Sequence, residues 1–143
     1  MKKSLWSLLL VMLFSLNILA APKIVKHELG QAQINGVPKR VVVFDYGLLD
    51  IVDAVGGNVV GVVKDNLPQS LKKFNDKKYT NIGTLFEPNY ETLIKLKPDL
   101  ILISGRQEKV YKELNKIAPT IYLTVDGPTY MNDLKKNSLL IGD

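Results

Sequence analysis

A run of four aliphatic residues, Leu100 to Ile103, places the strongest constraint on the fold. The run shows no alternation of polar and apolar residues, so it predicts a strand buried on both faces, as in a parallel sheet covered by helices. The segment Ser104-Gly105-Arg106 follows at once. Because ligands of open α/β sheets bind beyond the carboxyl ends of the strands, Arg106 is predicted to lie where a ligand would bind.

The segment before this strand predicts a helix. Asn89 can cap its start, and Leu93, Ile94 and Leu96 are the apolar positions expected to face the core. Pro98 cannot lie inside a helix and disfavours the α conformation of the residue before it, so the helix must end there.

Strands and helices alternate along the rest of the chain, which favours one Rossmann-like α/β lobe with a mostly parallel sheet flanked by helices. A small β-hairpin is expected first, over residues 23–29 and 31–35. The other predicted strands are Val41–Phe44, Val59–Val63 and Thr120–Val125, with at most a short extended piece at 81–83. The other predicted helices are 47–55, 68–74, 107–117 and 131–141. In the helix at 47–55, the residues expected to face inward are Leu48, Leu49, Ile51, Val52 and Val55.

Residues 1–21 have the pattern of a secretory signal peptide. Lys2 and Lys3 form a basic start, residues 5–19 are mostly apolar, and Ala20-Ala21 offers a cleavage site before Pro22. The apolar run is shorter than a membrane span requires. We therefore expect an exported, soluble, monomeric protein in a bacterial periplasm, with residues 22–143 as its folded domain.

Composition excludes several kinds of site. The chain has no cysteine, so a disulfide, a thiolate metal site and a lipid-anchored lipoprotein are all excluded. The single histidine, His27, excludes a multi-histidine zinc site and is expected at a surface or an edge. The formal charge of +5 falls to +3 when Lys2 and Lys3 are removed. The lysines are spread over predicted helix faces, which argues against nucleic-acid binding.

Other polar residues follow the first two core strands. Tyr46, Lys64 and Asn66 could line the same edge of the sheet as Arg106, although they could equally be ordinary loop residues. Tyr46 could pack against a flat ring, and Lys64 could add positive charge. Asp45 is expected to cap the following helix. Arg106 could instead pair locally with Glu108, but its place after a buried strand favours a ligand role.

Enzyme functions find little support. The sequence has no GxSxG elbow, no cysteine nucleophile and no P-loop, and Ser104 has no histidine expected beside it. We therefore predict a binding protein and not an enzyme.

Several segments resemble the N-terminal lobe of periplasmic iron(III)-siderophore-binding proteins, the substrate-binding components of ABC importers. These segments are PKRVVVFDYGLLDIVDAVG, VVGVVKDNLP, ETLIKLKPDLILISGRQEKVYKELNKIAPTIYL and the YMNDLKK helix. The LKPDLI signature is shared by the wider class, whereas LKPDLILISGRQ is similar to the catecholate subgroup, which takes up enterobactin-type and petrobactin-type complexes. The resemblance covers the mature chain but about the first half of a family member. This agrees with a last predicted helix that ends at Gly142-Asp143 with its apolar face barely begun.

The resemblance implies specific roles. Arg106 matches the binding arginine of this lobe, and its fixed donors suit an anionic ferric catecholate. Glu91 stands where the family has a glutamate that docks on arginines of the inner-membrane permease, and Glu87 is a nearby competitor for this role. A surface glutamate suited to the helix dipole is the alternative. In the catecholate subgroup, the iron ligands of the protein are a histidine and a tyrosine of the C-terminal lobe, so no residue of this chain is expected to bind metal. No cofactor is expected to be covalently bound. An isolated lobe should bind weakly or not at all.

Two alternatives remain open. The lobe could belong to a haem or cobalamin binder of the same class, since haem propionates also suit arginine. It could also be a periplasmic module that docks on a permease without carrying a ligand.

Overall fold

A computed structural model describes residues 22–124, which form two β-sheets and three α-helices. The strands are β1 (Lys23–His27), β2 (Gly30–Ile34), β3 (Val41–Val43), β4 (Val59–Val62), β5 (Thr80–Asn81), β6 (Leu100–Ile103) and β7 (Thr120–Tyr122). The α-helices are α1 (Tyr46–Ala54), α2 (Tyr90–Leu96) and α3 (Tyr111–Leu114), and 3₁₀-helices span Gln69–Asn75 and Gly105–Val110. The predicted signal peptide and the predicted helix at 131–141 lie outside the described residues.

The larger sheet is parallel, with the strand order β5-β4-β3-β6-β7. Strands β1 and β2 pair separately as an antiparallel hairpin. The predicted fold class, a Rossmann-like lobe with a small N-terminal hairpin, is confirmed. The segment that was expected to be at most a short extended piece contributes β5, the edge strand of the sheet.

The inner strand β6, between β3 and β7, is buried along its whole length, as its unbroken apolar sequence predicts. Leu100 and Leu102 face one core layer, which includes buried residues of α1. Ile101 and Ile103 face the other layer, together with Leu93 of α2 and further residues. Side chains of a strand alternate between its faces, so β6 joins both layers of the lobe.

The end of α2 is fixed against the start of β3. Lys97 has a left-handed conformation (φ 49°), which ends the helix just before Pro98, as predicted. The Arg40 Nε atom donates to the carbonyl oxygens of Leu96 and Lys97, both at 3.1 Å. Asp99 accepts hydrogen bonds from the backbone amides of Lys39 and Arg40 at 2.8 and 2.9 Å. These contacts align the amino ends of β3 and β6.

Two residues predicted to face the core are exposed. Val55 is 42% exposed because α1 ends at Ala54 and Val55 forms its C-cap, where the chain turns away from the helix. Ile94 is 61% exposed because α2 buries a narrow face through Leu93, and the next residue is rotated by about 100° around the axis.

The predicted continuous helix over 107–117 is wrong. The chain forms a 3₁₀-helix over Gly105–Val110 and then a single α-helical turn, α3. The two pieces are separated at Val110, whose backbone (φ −104°, ψ 7°) leaves the helical conformation. Within residues 22–124, no helix has the length and apolarity that a membrane crossing requires.

His27, expected at a surface or an edge, lies at the end of β1 with both ring nitrogens buried and without a hydrogen bond from any atom of residues 22–124. Its ring packs edge-on against Tyr111 with the centroids 5.4 Å apart. Burial lowers the pKa of His27, and the nearby Thr120 backbone opposes this only in part. The imidazole is therefore stabilised in its neutral form.

The free energy of unfolding is expected to fall as the pH is lowered from about 7 to about 5. In this range His27 of the unfolded chain takes up a proton near pH 6.5, whereas His27 of the folded chain resists protonation. One proton limits the slope to about 1.4 kcal/mol per pH unit, and partial exposure keeps the effect below this limit. Urea unfolding at several pH values measures it. The chain has one histidine, so His27→Phe should remove most of the slope in this window. An unchanged slope would contradict this account.

Candidate functional site

The candidate site lies where the strand order changes direction. From β3 the chain continues through α1 to β4 on one side, whereas β6 lies on the other side of β3. Ligands of open parallel sheets bind at such a switch point, beyond the carboxyl ends of the strands. The residues that follow β3 and β6, Asp45 and Ser104 to Gln107, meet there.

Asp45 is buried at the start of α1. Its Oδ1 atom accepts hydrogen bonds from the amides of Gly47 and Leu48 at 2.8 and 3.1 Å, which confirms the predicted N-cap. Its Oδ2 atom accepts a hydrogen bond from the Ser104 hydroxyl at 2.9 Å. The two loops that flank the switch point are thus joined by one carboxylate.

Arg106 lies in the 3₁₀-helix after β6, with half of its side chain exposed (52%). Its Nη1 atom is 3.4 Å from Oδ2 of Asp45, so its ion-pair partner lies across the switch point and is not the neighbouring Glu108. An exposed guanidinium at this edge can form several charge-assisted hydrogen bonds with an anion. The predicted position of Arg106 at the carboxyl edge is therefore observed, and its ligand role stays a prediction.

Gln107 holds the Arg106 loop in place. Its side chain is fully buried, its Oε1 atom accepts a hydrogen bond from the Ser104 amide at 3.0 Å, and its Nε2 atom donates to the Leu85 carbonyl oxygen. The loop after β6 is therefore attached to the turn that follows β5. The burial of this residue was not predicted from the sequence. The spacing of Ser104 and Gln107 is that of a capping box, which could have indicated the bond back to the Ser104 amide, whereas the bond to Leu85 has no local signal.

Tyr46 begins α1, and its hydroxyl donates to the backbone oxygen of Asp65, in the loop after β4. Burial raises the pKa of Tyr46, the charges of Asp65 and Asp45 add to this rise, and Arg106 opposes it. The phenol is therefore neutral near pH 7, and its ring is partly buried beside the site.

Lys64 and Asn66 also follow β4. The Lys64 Nζ atom donates to the carbonyl oxygens of Asn75 and Asp76, at 3.3 and 2.9 Å, so the ammonium group helps to end the 3₁₀-helix over Gln69–Asn75. Asn66 is exposed in a left-handed conformation (φ 53°). Both follow the carboxyl end of β4, but among the described residues neither forms a hydrogen bond or an ion pair with Arg106.

Glu91 lies in the first turn of α2, where its side chain is 80% exposed and forms an ion pair with Lys95 at 2.6 Å. Its docking role stays a prediction.

Within residues 22–124, no group of three or more histidine, cysteine or acidic residues is arranged to hold a metal ion. At the carboxyl edge, the structure places the Arg106 guanidinium and the Tyr46 ring on the segments that follow the neighbouring strands β6 and β3.

An open parallel α/β lobe with an exposed arginine at its switch point has the features of a ligand-binding lobe. Residues 41–139 match the family described as periplasmic binding protein, and the chain belongs to this family.

Comparison with known proteins agrees with this assignment. The chain is 48% identical over 122 residues to the petrobactin-binding protein YclQ of Bacillus subtilis (strain 168), covering 82% of this chain and 38% of YclQ. The crystal structure of YclQ superposes with a TM-score of 0.79 at 46% identity, covering 85% of this chain and 44% of that one. The chain thus spans less than half the length of this relative.

Two further solved structures are similar. The siderophore-binding protein BauB, bound to two acinetobactin molecules and ferric iron, matches with a TM-score of 0.80 at 34% identity, covering 85% of this chain and 44% of BauB. The periplasmic catecholate-siderophore-binding protein VctP of Vibrio cholerae matches with a TM-score of 0.73 at 38% identity, covering 81% of this chain and 43% of VctP. The aligned parts of both structures correspond to most of this chain.

Proposed function

We propose that this chain provides one lobe of the substrate-binding component of an iron–siderophore ABC importer, and that it binds an anionic ferric catecholate without chemical conversion. The observation that carries the proposal is the exposed Arg106 guanidinium at the switch point, in a lobe whose relatives are named for ferric siderophores. The bound complex would be passed to a membrane permease. The iron arrives as part of the ligand.

The chemistry of the edge supports a catecholate. A ferric tris-catecholate spreads negative charge over the oxygens around the iron, and a guanidinium presents several fixed donors to such a surface. Tyr46 adds an aromatic ring at the same edge, which suits a flat catechol. A neutral ferric tris-hydroxamate offers Arg106 no net charge, so it should gain little from this residue.

The proposed location is the periplasm. The basic start and apolar run of residues 1–21 support export through a cleaved signal peptide, and a chain without cysteine cannot carry the thioether lipid anchor of a lipoprotein. Amino-terminal sequencing of the protein recovered from cells tests this, because an uncleaved Met1 would contradict it.

Arg106→Ala is expected to weaken the binding of a tris-catecholate complex about tenfold or more, because a charge-assisted contact is lost at the edge of the sheet. One lobe offers part of a binding surface, so we expect weak affinity. NMR titration with the diamagnetic gallium(III) complex suits this range.

Lys116→Ala is the matched control. This substitution also removes one positive charge, from an exposed residue near the amino end of β7, at the opposite edge of the sheet. Because this charge is distant from the site, affinity should stay within about twofold of the wild type. The neutral gallium hydroxamate should respond weakly to both substitutions. Equal losses for Arg106→Ala and Lys116→Ala would contradict a site at the switch point.

A further inference from the structure

Asp45 makes more contacts than a helix cap requires. Its Oδ1 atom alone accepts the two amide hydrogen bonds that cap α1. Its Oδ2 atom faces the loop after β6. There it accepts a hydrogen bond from the Ser104 hydroxyl at 2.9 Å and lies 3.4 Å from Nη1 of Arg106. The buried carboxylate therefore connects the start of α1 to the loop that carries the arginine.

We propose that Asp45 is a positioning residue for Arg106, which it restrains at the carboxyl edge before a ligand arrives. The ligand in this inference rests on the proposed function, whereas the restraint is a property of the protein alone. An arginine side chain has five N–H donors, and the Asp45 contact engages one end of the guanidinium. The exposed half of the side chain leaves its other donors available to an anionic ligand.

Restraint and charge act on ligand affinity in opposite directions. Ordering a long arginine side chain costs conformational entropy, so a side chain that is already restrained binds a ligand at a smaller cost. The negative charge of Asp45, in contrast, repels an anionic ligand. Loss of the carboxylate should therefore weaken binding if positioning dominates, and strengthen it if charge alone matters.

Asp45→Asn separates these effects. Asparagine caps helices as well as aspartate does, so α1 keeps its cap, but the amide nitrogen cannot accept hydrogen bonds from Ser104 or Arg106. We expect gallium tris-catecholate binding to weaken about threefold to tenfold, which is in the range of coupling between residues in contact. The control, Asp65→Asn, removes a carboxylate from an exposed residue after β4 and should leave binding unchanged or tighter.

A double-mutant cycle tests the link to the arginine. In an Arg106→Lys background, Asp45→Asn should change affinity by less than about twofold, because the guanidinium that Asp45 restrains is already absent. Thermal unfolding of each variant checks that the lobe is intact. Asp45→Ser, which also caps a helix, is the second variant if Asp45→Asn does not fold.

A second readout needs no ligand. The sequence has two arginines, so ¹⁵N relaxation of the Nε–H groups gives two signals. Arg40, hydrogen-bonded to Leu96 and Lys97, is the internal reference. We expect the order parameter of Arg106 to fall in Asp45→Asn and to stay unchanged in Asp65→Asn, with Arg40 unchanged in both.

An unchanged Arg106 order parameter in Asp45→Asn would overturn the positioning role. So would a variant that binds the complex at least as tightly as the wild type. A wild-type protein that binds no tris-catecholate complex would instead reject the proposal that this lobe binds the complex on its own. The order parameter of Arg106 would then still decide the role of Asp45.

Discussion

Replacing Gly83 with alanine is expected to lower the free energy of unfolding by at least about 3 kcal/mol, because backbone strain and overlap with backbone atoms add. Gly83 has φ of +111°, a region that side chains disfavour. A Cβ atom there would overlap the Glu87 carbonyl oxygen and lie 2.8 Å from the Asn89 nitrogen. Neither backbone atom can move without breaking the turn between β5 and α2. Urea unfolding measures the loss.

Gly36→Ala is the matched control for this prediction. Gly36 also has positive φ (+71°), but a Cβ atom there would have no neighbour within 4 Å. Alanine at this position should therefore cost about 1–2 kcal/mol, the penalty of the left-handed conformation alone. Similar losses at both positions would show that crowding at Gly83 is unimportant.

Gln107→Leu is expected to lower the free energy of unfolding by about 2–4 kcal/mol. Leucine fills the space but leaves the buried Ser104 amide and the partly buried Leu85 carbonyl without their partner. The same substitution should weaken tris-catecholate binding, because the loop that carries Arg106 loses both attachments. Urea unfolding and the gallium titration measure the two effects.

The control for Gln107→Leu is Gln69→Leu, the same change at an exposed residue of the first 3₁₀-helix. This variant should stay within about 0.5 kcal/mol of the wild type, as is usual for surface substitutions. If Gln107→Leu were equally stable, the buried amide would have no part in holding the loop.

The parts of the fold that depend on local sequence were predictable. The unbroken run Leu100–Ile103 is a strand buried on both faces, Asn89 caps α2 through its side chain at 3.0 Å, and Pro98 marks its end. Each of these follows from the chemistry of a few neighbouring residues. The position of Arg106 at the carboxyl edge follows in the same way, because a strand end fixes the place of the next residue.

The parts that depend on distant contacts were not predictable. Val55 and Ile94 are apolar at helical spacing, yet the width of the buried face is decided by the packing of neighbouring elements. The buried side chain of Gln107 bonds to Leu85, a residue 22 positions earlier. The link from Asp45 to Arg106 spans 61 positions, and no local pattern indicates it.

The separation of these residues along the chain affects when the site forms. Asp45 and Ser104 are 59 residues apart and meet through the pairing of β3 with β6. Closing a loop of this length costs entropy that is recovered when the two strands pair. Before that step each half of the edge is an ordinary loop. The contacts between Asp45 and the loop of Arg106 therefore form only when β6 pairs with β3, and they are lost in any partial unfolding that separates the two strands.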